Sequence, residues 1–269
     1  MNYINNLNIS TKIASYLLII LPMLLVSGPF LSDLAVVLIC IFFIHNTIKE
    51  KNFKVFLKIE FLIICSFCIY LVINSIFINY NLNSIKISLF YIRFGIFVLA
   101  IQYILIKNPK VLKYMSYCFF IVLSILIIDG FKEYLTGSNV FNLSKPHPFR
   151  VSSFFGDELI LGSFISRLFP IFFGISLFYF FQKKINLKIF SLIIIFILAE
   201  VLVFLSGERA SLFYINFSTL FILFMIQKGF LIRLSMFLTA LMIILIIGII
   251  NPTAKNRVID KTIDEFQIK

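Results

Sequence analysis

The sequence predicts an all-α fold: a polytopic bundle of about nine transmembrane helices, with its N-terminus cytoplasmic and its C-terminus periplasmic. Three observations predict it. Hydrophobic residues make up 61% of the 269-residue chain and charged residues 13%, at a mean hydropathy of +1.06, whereas a soluble domain is about half apolar and a quarter charged. The apolar residues gather in runs suited to crossing a bilayer, which takes roughly 20 of them. The basic residues lie between the runs and sort to one side.

Taken in order, the runs cover residues 13–28, 31–45, 60–79, 86–106, 114–130, 157–181, 189–205, 212–227 and 233–250. The first two are short and share the break Ser27-Gly28-Pro29, so they are either two spans or one hairpin that does not fully cross. No small-x-small cleavage site follows the first run, which is therefore expected to stay as a helix. Residues 1–250 form one transmembrane domain with a long outer loop at 131–156, and 251–269 read as the start of a truncated periplasmic segment.

Orientation follows from charge. With the N-terminus inside, the inner side collects thirteen basic residues, from Lys12 and the lysines at 49–58 to Lys228 and Arg233, against Glu50 and Glu60 alone. The outer side holds nine basic and nine acidic residues. That asymmetry is the positive-inside pattern. It also disposes of the nucleic-acid reading that a net charge of +12 invites, because short lysine clusters between spans make no basic face on a soluble body. Cys40, Cys65, Cys68 and Cys118 all sit inside apolar runs, where a thiol packs as a small hydrophobe, and Cys65-x-x-Cys68 carries no functional weight there.

Candidate chemistry lies on the outer face. Helices starting near 86, 157 and 212 would present their N-termini there, with unpaired N–H groups and partial positive charge. Arg150 stands before one of these and Arg209 on the first turn of another. Two guanidinium forks beside helix N-termini make a cradle for a diphosphate; ordinary interfacial arginines reaching for headgroups are the equally weighted alternative.

Three charges fall inside spans. Arg93 and Glu200 lie at similar depths, roughly 10 Å and roughly 8 Å from the outer end, so an ion pair between them is expected. Arg167 lies roughly 15 Å in, either as a functional charge or as a strut between helices. Asp157 and Glu158 are expected to cap the helix they open, with activation of an acceptor hydroxyl as the minor reading, and Glu208 accompanies Arg209. His147 is a single loop histidine, and nothing groups metal ligands at the necessary spacing.

Two stretches resemble a known family. One runs Asp129-Gly130-Phe131-Lys132-Glu133-Tyr134-Leu135-Thr136-Gly137-Ser138-Asn139-Val140-Phe141, then Arg150-Val151-Ser152-Ser153-Phe154-Phe155-Gly156-Asp157-Glu158 to Ser163; the other is Leu205-Ser206-Gly207-Glu208-Arg209-Ala210-Ser211. With the opening hairpin from Leu21-Pro22 to Asp33, they resemble, in order, the O-antigen ligase and O-antigen polymerase superfamily. The resemblance implies a glycosyltransferase of the bacterial inner membrane that acts in lipopolysaccharide or surface polysaccharide biosynthesis. It would take a glycan from a polyprenyl (undecaprenyl) diphosphate carrier at the periplasmic face, without metal or cofactor. The acceptor would be lipid A core in a ligase, or a second carrier-linked glycan in a polymerase. Arg150 and Arg209 stand in the motifs whose arginines hold the diphosphate, and Arg93, Arg167, Asp157, Glu158, Glu200 and Glu208 are candidate supporting residues.

Family members continue into a large periplasmic loop bearing a histidine, followed by further helices. This sequence ends at Lys269, so it is expected to be a fragment or truncated product, or a partner chain to supply the rest; without that part, carrier binding with little turnover is expected. A polysaccharide precursor transporter or flippase, or a non-enzymatic assembly subunit, is the other class of reading. Broken, repeated helices around a midplane site would mark a transporter, and no internal repeat is visible.

Overall fold

The computed structural model describes residues 8–77, 82–144, 147, 150–180, 187–225, 230–250 and 255–256. Among them the regular structure is helical, with ten α-helices, two short 3-10 turns and two isolated β-bridges. The chain packs as two units, Met1–Cys118 and Phe119–Lys269.

In the first unit, α1 (Ile9–Val26) and α2 (Pro29–Lys49) form a hairpin. Gly28 between them takes φ +121°, a value that glycine adopts without strain, and Pro29 opens α2 where its missing N–H costs nothing. The two helices pack through Ala14, Leu18, Ile39 and Phe43, joined by Leu99 and Ile104 of α5 (Ile92–Lys107) and by Val111 at the start of α6 (Lys110–Thr136). One buried polar link accompanies this core: Asn46 Nδ2 donates to Thr11 Oγ1 at 3.1 Å.

The run expected at 86–106 is two helices, α4 (Leu82–Phe90) and α5, joined at Tyr91. The joint is a local tightening, since Tyr91 N donates to Ser88 O and Phe94 N to Tyr91 O, both three residues back in the manner of a 3-10 turn. Gly95 of α5 lies against α3 (Ile59–Phe77): a Cβ there would come within 2.9 Å of Ile64 Cγ2.

In the second unit, the end of α6 leads through a loop to α7 (Leu161–Phe180), α8 (Leu187–Leu205), α9 (Arg209–Met225) and α10 (Phe230–Ile250). Residues 199–206, the end of α8 and its turn, are buried without exception. A segment enclosed on every side belongs to the interior, and this end of α8 is one, with Glu200 its one charged residue. Phe169, Phe172 and Phe173 of α7 stack around Phe196 of α8 and one another, with ring centroids 5.6–5.9 Å apart. Gly130 admits Leu202 into the surface of α6, where a Cβ would stand 2.7 Å from Leu202 Cδ1.

Five helical stretches are long and apolar enough to cross a membrane: Ile9–Val26, Pro29–Lys49, Ile59–Phe77, Leu82–Lys107 and Lys110–Thr136. Four shorter apolar stretches follow, Leu161–Leu177, Ser191–Leu205, Arg209–Met225 and Arg233–Ile249. Exposure points the same way. Of the 19 residues of α3 only Cys68 is buried, and leaving large apolar side chains in water forfeits about 1.5–3 kcal/mol each.

Two boundaries differ from expectation at the long loop between α6 and α7. Helix α6 continues to Thr136, so Glu133 is helical and the loop begins at Gly137, not at residue 131. Helix α7 begins at Leu161, not at residue 157, because Gly156 and Leu159 take φ of +53° and +47°, which no right-handed helix accommodates. Asp157 and Glu158 therefore lie exposed in a 3-10 turn (Ser153–Glu158) and open no α-helix. The polar tail at 251–269 lies outside the described residues apart from 255–256.

Candidate functional site

The loop corner of the second unit is built on two carboxylates. Asp129 and Glu133 are one turn apart on α6, so they share a face, and each is 1% exposed. Glu133 accepts from the backbone N–H groups of Ser152 (3.1 Å) and Ser153, and from Ser152 Oγ at 3.3 Å. Asp129 accepts from Val140 N at 2.6 Å and from the Ser153 hydroxyl. A buried carboxylate is tolerated only when its lone pairs are filled. These two are filled by the loop, which they hold at both ends. Their hold also explains a non-glycine residue in the left-handed region, Ser153 at φ +54°.

Arg150 comes next. Its Nε donates to Ser206 O at 2.8 Å and its Nη2 to Leu159 O at 3.1 Å, while Nη2 lies 3.8 Å from Glu208 Oε1. Val151 N donates to Leu205 O at 3.4 Å alongside. The guanidinium thus fastens the loop to the α8–α9 turn. With 14% of its side chain exposed, Arg150 is a buried tie as well as a positive charge.

Glu208 completes the corner. Its two carboxylate oxygens accept from Gly162 N and Ser163 N, each at 2.9 Å, and Oε2 also from Ser211 Oγ at 2.8 Å. Gly162 and Ser163 are the second and third residues of α7, so an acid from another helix fills the place where an N-terminus attracts anions. Gly162 is what permits the approach, since a Cβ there would collide with the Ser206 hydroxyl and press on Glu208. The cap expected of Asp157 and Glu158 is supplied by Glu208, 46 residues from Gly162. The α7 N-terminus is therefore occupied from within.

The remaining candidates separate. Arg209 is half-buried as the first residue of α9, next to Glu208. Arg167 is exposed on α7, six residues after Leu161 and so roughly 9 Å from the start of the helix, against the roughly 15 Å counted from residue 157. Exposure also removes it from the list of packing struts. Glu200 is fully buried in α8 and accepts from Asn216 Nδ2 of α9 at 3.2 Å. The expected Arg93–Glu200 pair is replaced in the first unit by Arg93–Asp33, with Nη1 and Oδ2 2.8 Å apart, and the Arg93 guanidinium lies 4.9 Å above the Phe94 ring.

His147 forms an isolated bridge with Arg150, whose N–H donates to its carbonyl at 3.2 Å. Among the described residues no three His, Cys, Asp or Glu side chains gather as a metal site.

Sequence reasoning missed Asp129, Glu133, Ser153 and Asn216. The spacing of Asp129 and Glu133, four residues apart at the end of an apolar run, was the available signal for the first pair. Comparison of the chain with family models, with curated proteins and with solved structures finds no match.

Proposed function

We propose that this chain serves the transfer of a glycan from a polyprenyl diphosphate carrier at the periplasmic face of a bacterial inner membrane, in the manner of O-antigen ligases and polymerases. In this reading the bundle crosses nine times with its N-terminus in the cytoplasm, and lipid A core or a second carrier-linked glycan is the acceptor. One observation carries it. The two stretches that resemble the family, distant in sequence, meet in one corner through Arg150 on Ser206 and Glu208 on Gly162 and Ser163.

The electrostatics assign different tasks to the two arginines. Arg150 and the α7 N-terminus together offset the Glu208 carboxylate, and two Arg150 donors are committed to backbone carbonyls. Arg209, the first residue of α9, is in this reading the guanidinium that meets the diphosphate, with Arg150 beside it in the same corner. A guanidinium held there would also stabilise the diphosphate as it departs from the sugar.

Binding of a fluorescent polyprenyl-diphosphate glycan to the full chain in lipid nanodiscs tests this. Arg209→Ala should weaken binding by about 10- to 100-fold, the loss of one charge-assisted contact of about 1.5–3 kcal/mol, and Arg209→Lys should restore part of it. Unchanged binding by both Arg209→Ala and Arg150→Ala would overturn the reading.

A further inference from the structure

We propose that the first unit holds the headgroup of an anionic phospholipid in the cavity where α1 and α6 begin. The cavity, about 240 Å³, is lined by Lys12, Ser15, Tyr16, Ile19, Asn108 and Tyr114. The four α1 residues are spaced i, i+3, i+4, i+7, a single stripe along that helix, and the other two bracket the first turn of α6.

Polarity changes along the stripe. It runs from the Lys12 ammonium past the Ser15 hydroxyl to the Ile19 side chain, over roughly 10 Å at 1.5 Å per residue. A phospholipid changes from phosphate to acyl chain in the same direction. Tyr16 and Tyr114, both well exposed, supply the amphipathic rings that settle at the headgroup level of a bilayer. The volume falls below the about 300–1,000 Å³ of sites that enclose drug-sized ligands, so it admits a headgroup and leaves the chains in the surrounding lipid.

Charge selects an anion over a zwitterion. Lys110 and Lys113 stand in the first turn of α6, which has no acidic residue, although cations are disfavoured at that end of a helix. The ion pairs among the described residues are Arg93–Asp33, Lys107–Glu50 and Arg150–Glu208, and none involves Lys12, Lys110 or Lys113. Of the two acids assigned to the same side, Glu60 opens α3 and is exposed, and Glu50 is held by Tyr103 and Lys107 at 2.8 and 3.2 Å. Lys12 thus lines a cavity that has no carboxylate among its lining residues, and Lys110 and Lys113 stand in the helical turn between its two α6-side residues, Asn108 and Tyr114.

The test is native mass spectrometry of the full chain with added phosphatidylglycerol, phosphatidylcholine or inorganic phosphate. Phosphatidylglycerol should be retained in preference to phosphatidylcholine. Lys12→Gln should cut that retention about fivefold, the effect of one lysine near a membrane surface. Tyr114→Ala should also reduce it, while Lys54→Gln, an exposed lysine outside the cavity, should leave it unchanged. Circular dichroism establishes that each variant is folded. Equal retention of the two lipids would overturn the proposal. So would a loss in Lys54→Gln as large as in Lys12→Gln, or competition by inorganic phosphate as effective as that by the lipid.

Discussion

The loop corner of the second unit and the lysine-lined cavity of the first treat charge in opposite ways. In the corner, Asp129, Glu133, Arg150 and Glu208 are sunk in the fold and spend their hydrogen bonds on backbone groups. At the cavity, Lys12 and, on the neighbouring turn, the lysines that open α6 stand partly or fully exposed and outside the ion pairs among the described residues. A charge already satisfied by its own backbone holds a shape, and a surplus of one sign at a cavity invites a ligand. Charged side chains that look equally functional in the sequence therefore divide into two kinds once their partners are known.

That division can be broken most forcefully at Glu133. Glu133→Ala leaves the Ser152 and Ser153 N–H groups without an acceptor, and at about 1–3 kcal/mol for each buried unsatisfied donor the second unit should lose about 3–5 kcal/mol, read by detergent or thermal unfolding. A loss below about 1 kcal/mol would mean that the loop does not depend on this carboxylate. Gly162→Ala should cost about 1–3 kcal/mol, because the new methyl has to displace the Ser206 hydroxyl and loosen Glu208 from α7. Glu208→Gln keeps the shape and one acceptor oxygen but removes the anion from the helix end, for about 1 kcal/mol. Least of all, Lys107→Ala should change stability by under about 0.5 kcal/mol, since its pair with Glu50 is largely exposed. If Lys107→Ala were as damaging as Glu208→Gln, the contrast between saturated and surplus charge would fail.

The helices were legible in the sequence because lipid leaves so little freedom: every long apolar run became a helix, within a few residues at most ends. The errors cluster where polar residues sit inside a helix or irregular backbone precedes one. Glu133 read as part of a loop, yet it continues α6 beyond Asp129 because the loop folds back to saturate both carboxylates. Asp157 and Glu158 read as the cap of α7 because they are the nearest acids. The true cap comes from Glu208, and no local rule reaches across 46 residues. Arg93 found Asp33 at a separation of 60 residues, a partnership set by how α2 and α5 pack and invisible to depth arithmetic alone. Arg150 was read as one of two arginines for a diphosphate, and only its donors reveal that it also fastens the loop to the α8–α9 turn.

The near-total exposure of α3 carries a consequence for how this sequence can change over time. With Cys68 as its one buried residue, that helix answers to little beyond oiliness and length, so many apolar replacements should pass unnoticed. Residues 199–206, enclosed on every side, answer to shape. A library randomised within each segment to apolar residues should yield many folded members from the first and few from the second, making the pair a measure of how much of a membrane protein is written by its solvent and how much by its neighbours.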